Sequence, residues 1–558
     1  MMNINTHGWS LVTILNLLLV SSLNAETLVK ISQGFLNGTI FHGHGRNYSA
    51  FIGIPYAAPP IGNLRFRSPV PGKSWDGVRS ATETPNECPQ LLLNENVIGN
   101  EDCLYLNVYS PIVNFNSTLE KNIHNGSLLP VMVWFHGGGF FSGSSDPKVF
   151  NPNYLLQKDI ILVTMNYRLG VLGFFSTGNE FAPGNFGLKD QVMSLKWIQK
   201  NIQAFGGDPQ RVTIFGSSAG GLSVNLHALS NATHGLFHQY IIQSGSAITP
   251  WAYKDRNFYK SFSKTFADSV GCGKDDVQDL VECLRETDVE KLVKQVKYEH
   301  FDFPMLHWTS TDEPESEEAF LTDSPQNLIK QNKMKDLPSI YGSDVDEGMI
   351  ITLPFYINKA PISMIKAFKR TINLTSNHYA KPEEISNFEK MIQNFYAADK
   401  SKLLENYTKF VGDSGFLYPK LLLIENTAKN IKSPVYFYSF GYRGTVNLIF
   451  FERNVTENFG APHGDDILYL FAIVPKNFVL EKDEKMINLM TDLWTNFAIN
   501  GKPTSGSLEN PNIWKPYQEN NSFLQIGNIN NHFEPSVTLE NVYFPERMNF
   551  WKKNFPLI

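Results

Sequence analysis

The sequence is poor in cysteine and has no dense cluster of basic residues. Four of its 558 residues are cysteine, and its formal net charge is −6. Because phosphate-rich partners need stripes of lysine and arginine, the composition argues against nucleic acid and anionic membranes as partners. After residue 25 there is also no apolar run that approaches a membrane span, and the C-terminus NFWKKNFPLI has neither a GPI tail nor a KDEL-type signal. We therefore expect a small uncharged ligand and no membrane anchor.

The four cysteines form two close pairs in the sequence, Cys88 with Cys103 and Cys272 with Cys283. Neither spacing matches a zinc or redox motif. In an oxidising compartment such pairs most simply close two local disulfide loops. No cysteine then remains to join subunits, so we expect a monomer or a non-covalent dimer.

The N-terminal segment predicts a signal peptide. An apolar core from Trp9 to Val20 is followed by small and polar residues that end at Ala25. About twelve apolar positions are too few to cross a bilayer, which needs roughly 20. An uncleaved anchor is the alternative, because the segment lacks lysine and arginine and because Leu23 is not the small residue usual before a cleavage site. We expect residues 1–25 to be removed and the protein to be secreted into the extracellular space.

Glycosylation sequons support this location. The pattern N-x-S/T without a central proline occurs nine times, at Asn37, Asn47, Asn116, Asn125, Asn231, Asn373, Asn406, Asn454 and Asn520. Each triplet alone is a weak signal, but their number is typical of a secreted glycoprotein.

The rest of the chain, residues 26–558, shows no internal repeat and no linker, which predicts a single domain. Short apolar runs at 131–135, 160–167, 211–215 and 240–243 each precede a turn and a longer stretch of helical pattern. Strands this apolar are buried on both faces, so we expect an α/β fold with a mostly parallel central sheet flanked by helices. Further features are later strands at 338–341 and 435–440, an exposed excursion at 114–125 and a helical cap at 252–335.

A G-x-S-x-G turn around Ser218 is the first chemical signal. Residues 211–221 read RVTIFGSSAGG, so an apolar strand leads directly into the turn and then into a helical run. This order is typical of the nucleophile elbow, in which a strained turn holds a reactive serine above the end of a sheet. A plain glycine turn is the alternative.

A second glycine turn, HGGGF at 136–140, directly follows the strand at 131–135. Its backbone can approach a ligand closely, and backbone N–H groups at such a turn can stabilise the oxyanion of a tetrahedral intermediate. A flexible turn without a ligand is the alternative, but packing alone does not require three consecutive glycines after a buried strand.

Together with these turns, several stretches resemble the type-B carboxylesterase and cholinesterase family, and most of all its secreted insect-type carboxylesterases. They are FIGIPYAAPPIGNLRF at 51–66, EDCLYLNVYSP at 101–111, NYRLGVLGF at 166–174, GNFGLKDQ at 184–191, FGGDP at 205–209, QSGS at 243–246, DEG at 346–348 and GAPHGDD at 460–466. The resemblance runs from about residue 27 to the end of the chain. It implies the α/β-hydrolase fold with helical cap insertions.

The resemblance also implies roles for single residues. Ser218 is the expected nucleophile, His463 the base and Glu347 the acid, while Asp344 and Asp346 are either solvent-facing or structural. The remaining assignments are the backbone N–H groups of Gly138, Gly139 and Ala219 as oxyanion donors, Ser244 as a serine near the acid and the histidine, Trp251 as an acyl-pocket aromatic, and buried ion pairs between Arg65 and Glu101 and between Arg168 and Asp190. These roles imply hydrolysis of a carboxylic ester to acid and alcohol through an acyl-enzyme at Ser218, without a metal or an organic cofactor.

Two departures from the family pattern bear on the substrate. Cholinesterases bind choline on a tryptophan of the first disulfide loop, but here that loop reads CPQLLLNENVIGNEDC, and Ser217 stands where their acidic residue is common. We therefore expect an uncharged ester. Five apolar residues of the loop either line an apolar gorge or pack the loop against the core: Leu91, Leu92, Leu93, Val97 and Ile98. The alternatives are a juvenile-hormone-type esterase, an odorant- or pheromone-degrading esterase, a lipase and a non-catalytic adhesion module. Juvenile-hormone esterases usually carry glutamine where Ser217 stands here.

Overall fold

The computed structural model describes residues 27–92, 95–115, 128–295, 306–358, 361–445, 460–473, 476–531 and 533–555. The predicted signal peptide, most of the predicted excursion at 114–125, Leu93 and the sequons at Asn116, Asn125 and Asn454 lie outside these residues.

The strands, in chain order, are β1 Leu28–Ile31, β2 Gly34–Asn37, β3 Thr39–His42, β4 Asn47–Pro55, β5 Val78–Ser80, β6 Gln90–Leu91, β7 Val97–Ile98, β8 Tyr105–Ser110, β9 Leu129–Phe135, β10 Ile161–Met165, β11 Gly207–Ser217, β12 Gln239–Gln243, β13 Ser339–Asp344, β14 Val435–Phe440, β15 Phe523–Ile526 and β16 Val537–Glu540. The helices are α1 Gly170–Phe174, α2 Phe186–Asn201, α3 Ala219–Leu229, α4 Arg256–Ser269, α5 Val277–Glu286, α6 Val289–Lys294, α7 Pro325–Lys330, α8 Met349–Asn358, α9 Pro361–Tyr379, α10 Ile385–Tyr396, α11 Leu403–Gly412, α12 Tyr418–Asn430, α13 Glu481–Asn500, α14 Tyr517–Asn520 and α15 Pro545–Asn554. Of these described helices, none is both long and apolar enough to span a bilayer.

A large mixed sheet organises the described chain. Its strand order is β16-β15-β14-β13-β12-β11-β9-β10-β8-β4-β3. The strands from β15 to β10 in this order run parallel. Antiparallel strands extend the sheet at both edges. The prediction of a mostly parallel sheet flanked by helices, and with it the α/β-hydrolase fold, is confirmed.

The strands are apolar because both faces of the sheet are covered. In β9, Val131, Val133 and Phe135 belong to one buried cluster, and Met132 and Trp134 belong to the other. Helices α2, α3 and α12 contribute to the first cluster, and α13 contributes to the second. Since successive side chains of a strand point to opposite faces, a strand between two helical layers must be apolar at every position.

Two helical insertions add to this core. Helices α4 to α7 lie within the cap predicted at 252–335. Helices α8 to α11 form a second insertion between β13 and β14, which the sequence analysis did not predict. This second insertion begins directly after the DEG motif. It therefore lies between Glu347 and β14, the strand that precedes His463.

Candidate active site

The candidate residues gather at the carboxyl ends of five neighbouring parallel strands. Gly137, Ser218, Ser244 and Glu347 follow β9, β11, β12 and β13 within a few residues. The segment after β14 returns to the same edge and brings His463 to Glu347. Because ligands of parallel sheets bind beyond the carboxyl ends of the strands, this edge is where a substrate is expected.

Ser218 lies on a strained turn between β11 and α3. Its backbone has φ 60° and ψ −124°, and such positive-φ strain at a non-glycine residue costs about 1–3 kcal/mol and persists only where the surroundings impose it. A Cβ on Gly216 would lie 2.6 Å from the carbonyl carbon of Gly220. A Cβ on Gly220 would lie 2.0 Å from the carbonyl oxygen of Phe135. Both glycines are therefore required by packing, and the turn has the geometry of a nucleophile elbow.

The glycine turn after β9 packs directly against this elbow. A Cβ on Gly137 would lie 3.1 Å from the Cβ of Ser218. Gly138 and Gly139 have φ of 102° and 59°. Within the described part of the chain, the N–H groups of Gly138, Gly139 and Ala219 donate no hydrogen bond to another residue. Backbone donors held next to a serine can bind the oxyanion that forms when the serine attacks a carbonyl.

Glu347 and His463 form a buried, charge-assisted pair. Nδ1 of His463 donates a hydrogen bond to Oε2 of Glu347, and the two side chains are 7% and 0% exposed. Burial by itself raises the pKa of Glu347, but the charge and the hydrogen bond of His463 lower this pKa overall. Nε2 of His463 is buried and has no hydrogen-bond partner among the described residues. The imidazole is thus oriented through one nitrogen and can accept a proton at the other.

Two aspartates beside the acid hold the segment that carries the histidine. Asp344 is fully buried and accepts the N–H groups of Gly464 at 2.8 Å and of Asp466 at 3.2 Å. Asp346 accepts the N–H of Ala461 at 3.0 Å. Solvent-facing and structural roles were both expected from the sequence, and the contacts of both aspartates are structural. A solvent-facing position is wrong for Asp344.

A buried lysine, which the sequence analysis missed, lies close to these carboxylates. Nζ of Lys420 donates to a carbonyl oxygen and a hydroxyl oxygen of β13. Burial lowers the pKa of Lys420 to about 8, although Glu347, Asp344 and Asp466 oppose this shift. Burial and the neighbouring carboxylates Asp466 and Glu347 raise the pKa of Asp344 well above its ordinary value. No motif marks Lys420, because only the folded chain brings α12 to β13.

Phe416 packs against the histidine, and Trp251 packs against Phe416. The ring centroid of Phe416 lies 4.8 Å from that of His463 and 5.8 Å from that of Trp251. Trp251 is buried, and its Nε1 donates to the carbonyl oxygen of Gly415 at 3.1 Å. Phe416 belongs to a π-helical segment, Asp413–Leu417, an irregularity often found at functional sites. No sequence pattern indicated Phe416.

Ser244 follows β12 with a φ of 51°. Its Oγ donates to Oδ2 of Asp344 at 3.5 Å, and its hydroxyl also helps to lower the pKa of Glu347. The structure therefore places this serine between the catalytic acid candidate and the aspartate that holds the histidine segment.

Both ion pairs that the resemblance implied are present. Arg65 donates two hydrogen bonds to Glu101, at 2.7 and 2.6 Å, and Arg168 donates two to Asp190, at 2.8 and 2.7 Å. The pair of Arg168 with Asp190 is buried, with side chains 3% and 0% exposed. Breaking such a pair leaves an uncompensated buried charge, so each partner depends on the other.

Both predicted disulfides are present as well, between Cys88 and Cys103 and between Cys272 and Cys283. The first closes the loop that contains the short hairpin of β6 and β7. The second ties the turn after α4 to α5.

The apolar residues of the first disulfide loop divide between the two expected roles. Leu91 and Val97 are partly buried against the main core. Leu92 is 36% exposed, and Ile98 is partly buried. Packing of the loop against the core therefore accounts for Leu91 and Val97.

The described sequon asparagines are all partly or fully exposed, at Asn37, Asn47, Asn231, Asn373, Asn406 and Asn520. Their glycosylation stays a prediction.

Comparison with known proteins matches almost the whole chain. The profile of the carboxylesterase family covers residues 25–551. Juvenile hormone esterase from Tribolium castaneum is 34% identical over 569 residues, which is 95% of this chain and 95% of the relative. Esterase FE4 from Myzus persicae is 36% identical over 521 residues, 90% of this chain and 89% of the relative. The crystal structure of juvenile hormone esterase from Manduca sexta with OTFP covalently attached has a TM-score of 0.83 at 27% identity and covers 95% of this chain and 99% of that chain.

Proposed function

The chain belongs to the carboxylesterase family and is a carboxylic ester hydrolase of the serine type, and from this premise we propose that Ser218 is its nucleophile and that its substrates are small uncharged esters. One observation carries the assignment of residues: His463 is bound through Nδ1 to the buried Glu347 and keeps Nε2 without a partner among the described residues. Ser218 lies on the elbow at the same edge of the sheet.

Acylation follows from these positions. Oγ of Ser218 attacks the carbonyl carbon of the ester while Nε2 of His463 takes the hydroxyl proton. Glu347 keeps the imidazole in the tautomer that can accept this proton, and its charge stabilises the imidazolium that forms. The oxyanion is bound by the N–H groups of Gly138, Gly139 and Ala219. The bond from the carbonyl carbon to the alcohol oxygen then breaks, and the imidazolium gives its proton to the leaving alcohol.

Deacylation repeats the same steps with water. Nε2 of His463 takes a proton from the water that attacks the acyl-enzyme, and the same proton then returns to Oγ of Ser218 as the acid leaves. Every proton taken in each half-reaction is returned, so the reaction needs no external acid or base.

An uncharged substrate is supported by what surrounds the serine. The first disulfide loop has no aromatic residue for a quaternary ammonium, and Ser217 places no negative charge beside the nucleophile. The apolar ring of Phe416 contacts His463, and the ring of Trp251 packs against Phe416. These rings favour an apolar acyl group. One methylene in such a pocket is worth only about 1–3 kcal/mol, so we expect the enzyme to hydrolyse esters over a broad range of acyl-chain lengths.

A juvenile hormone ester is the second candidate substrate. It is favoured by the likeness to two proteins named juvenile hormone esterase, from Tribolium castaneum and Manduca sexta. A kcat/KM for juvenile hormone at least about 100-fold above that for simple p-nitrophenyl esters would favour this substrate over a general esterase role, since it corresponds to almost 3 kcal/mol of selective transition-state binding.

We further propose that the mature protein is secreted and that residues 26–558 form one catalytic unit. The apolar N-terminal segment and the nine sequons support secretion. The main buried cluster contains residues from Val29 to Phe555, which supports a single unit. N-terminal sequencing of protein from the culture medium should begin at Glu26, and the same protein retained on membranes with an intact N-terminus would contradict secretion.

Turnover of p-nitrophenyl esters from acetate to dodecanoate tests the catalytic assignment. Ser218→Ala should abolish hydrolysis, and Ser217→Ala is the matched control because it removes the adjacent hydroxyl and should retain most of the activity. Loss in the Ser217 variant alone would contradict the assignment. Activation by aggregated long-chain substrate would indicate a lipase, and a folded wild-type protein without turnover of any ester would indicate a binding module.

A further inference from the structure

We propose that Gln90 is a positioning residue that holds the oxyanion turn, an inference that rests on the proposed roles of Gly138 and Gly139. Gln90 lies inside the first disulfide loop and is 4% exposed. Its Oε1 accepts the N–H of Gly143 at 2.9 Å, and its Nε2 donates to the carbonyl oxygen of Gly143 at 3.1 Å. Because the two bonds engage both polar groups of one residue, they fix its position and its orientation.

Gly143 in turn packs against the start of the oxyanion turn. Its φ is 116°, and a Cβ there would lie 2.5 Å from Nδ1 of His136 and 2.8 Å from the carbonyl oxygen of Gly137. Nδ1 of His136 donates to that same carbonyl oxygen at 2.8 Å. Burial lowers the pKa of His136 to about 4, so the ring is neutral at physiological pH. Gly143 thus has no room to shift unless the residues before Gly138 shift as well.

The turn between these points is closed on itself. The N–H groups of Phe141 and Ser142 both donate to the carbonyl oxygen of Gly138 at 3.0 Å. Oγ of Ser142 donates to the same oxygen at 3.2 Å. Since Ser142 directly precedes Gly143, a displacement of Gly143 moves this hydrogen-bonded unit and the N–H groups of Gly138 and Gly139 with it.

Gln90 is itself fixed to the disulfide loop. Its Nε2 also donates to the carbonyl oxygen of Cys88 at 3.2 Å, and Cys88 is bonded to Cys103. Beside it, Oε1 of Glu87 accepts from the hydroxyl of Ser144 at 3.1 Å. The contacts therefore connect the disulfide, through Gln90, to the oxyanion turn. In this proposal the first disulfide loop positions the oxyanion turn, a role other than lining a gorge.

The variant Gln90→Leu removes both hydrogen bonds to Gly143 at nearly constant side-chain volume. Oxyanion donors act only when they lie at the right distance, and a misplacement of about 1 Å can cost about 100-fold in rate. We expect a partial displacement, with kcat lower by about 10-fold and KM changed by less than about 2-fold, because the donors bind the transition state rather than the ground-state ester.

Gln525→Leu is the matched control. Gln525 is also buried, and its Nε2 donates to the carbonyl oxygens of Ser439 at 3.1 Å and Gly527 at 3.2 Å. It lies on β15, and strands β14, β13, β12 and β11 separate it from β9, which the oxyanion turn follows. Kinetics with p-nitrophenyl acetate, the inhibition constant of a trifluoromethyl ketone and the thermal unfolding temperature are measured for both variants. Oγ of Ser218 adds to the carbonyl carbon of the ketone, and the ketone oxygen becomes an oxyanion. The affinity for the ketone should therefore fall with kcat in Gln90→Leu and stay unchanged in Gln525→Leu.

A second variant, Gln90→Glu, separates positioning from general destabilisation. Its carboxylate can still accept the N–H of Gly143 but repels the carbonyl oxygen, whereas a protonated carboxyl can donate to that oxygen. The ratio of its kcat to that of the wild type should therefore rise as the pH falls, and this pH dependence also decides the question if Gln90→Leu does not fold.

Equal kcat and ketone affinity in Gln90→Leu and the wild type, or a Gln90→Glu ratio that does not change with pH, would overturn the positioning role. An inactive or ketone-insensitive wild-type enzyme would instead overturn the proposed function, so the two failures are distinguishable.

Discussion

Replacing Glu347 with glutamine should nearly abolish hydrolysis, and the structure gives the reason. Both carboxylate oxygens accept hydrogen bonds: Oε2 from Nδ1 of His463, and Oε1 from the backbone N–H of Asp344 at 3.2 Å. A glutamine has one acceptor for these two donors. If its oxygen faces Asp344, its NH₂ faces Nδ1 and forces the imidazole proton onto Nε2, which can then no longer take the proton of Ser218. If its oxygen faces the imidazole, the buried N–H of Asp344 meets another donor, which costs about 1–3 kcal/mol.

The first arrangement sets the magnitude. A wrong histidine tautomer lowers kcat by about 10⁴-fold in the Ser-His-Asp triad of the serine proteases. For Glu347→Gln we therefore expect kcat to fall by about 10³- to 10⁴-fold, or about 4–5.5 kcal/mol, with a KM within a few-fold of the wild type. Raising the pH should not restore the rate, because the proton is on the wrong nitrogen rather than in excess. Steady-state hydrolysis of p-nitrophenyl acetate, normalised to folded protein, measures both constants.

Asp346→Asn is the matched control for this experiment. Asp346 neighbours Glu347 in the sequence, and an asparagine oxygen can still accept the N–H of Ala461 that Asp346 accepts at 3.0 Å. Asp346 is partly buried, and its replacement keeps the hydrogen-bond acceptor while it removes one charge. We therefore expect this variant to stay within about 10-fold of the wild-type kcat. A Glu347→Gln enzyme that keeps more than about a tenth of the activity would refute the reasoning, because a tautomer change cannot be that mild.

Three further results are expected. Lys420→Met should shift the acid limb of the kcat/KM profile to higher pH, because the charge of Lys420 lowers the pKa of Glu347 and its loss favours the protonated carboxyl; an unchanged limb would contradict the coupling. Gly220→Ala should prevent folding or lower activity at least about 100-fold, since its Cβ would lie 2.0 Å from a carbonyl oxygen of β9. The control Gly506→Ala should behave as the wild type in expression and turnover, because no atom lies within 4 Å of its Cβ. Replacing Cys272 and Cys283 with serine should lower the unfolding temperature without changing KM, because the bridge closes a loop with a sequence separation of 11 residues and contributes about 2–3 kcal/mol.

The sequence predicts the sheet well and indicates the three candidate catalytic residues, and for the strands and the elbow the physical reasons are local. The strands at 131–135 and 211–215 are apolar on both faces, so each indicates its own burial without knowledge of its neighbours. The elbow around Ser218 is predictable because strand, turn and helix are contiguous there. His463 is different: nothing in its own chemistry separates it from the other 12 of the 13 histidines, and only the flanking GAPHGDD motif identified it.

The residues that sequence reasoning missed depend on contacts between distant segments. Gln90 acquires its role from Gly143, 53 positions away, and Lys420 from β13, 77 and 78 positions away. Phe416 contacts the ring of His463 from a π-helical segment between α11 and α12. A hydrogen bond or ring contact of this kind leaves no periodicity and no spacing rule in the sequence, so the side chains that support the triad become visible only in the folded chain.

Three buried carboxylates lie beside the proposed base, and their environments differ. Glu347, Asp344 and Asp466 are equally buried, yet burial raises the pKa of both aspartates while the contact with His463 lowers that of Glu347. Environments that push the pKa values of neighbouring groups apart assign them different tasks. The charge of Glu347 is one cause of the raised pKa of both aspartates, since like charges repel in a buried site. The same aspartate that shares this burial also clamps the histidine segment through Gly464. The same buried cluster therefore affects both the pKa of Glu347 and the position of the His463 imidazole. A substitution at Asp344 should disturb both.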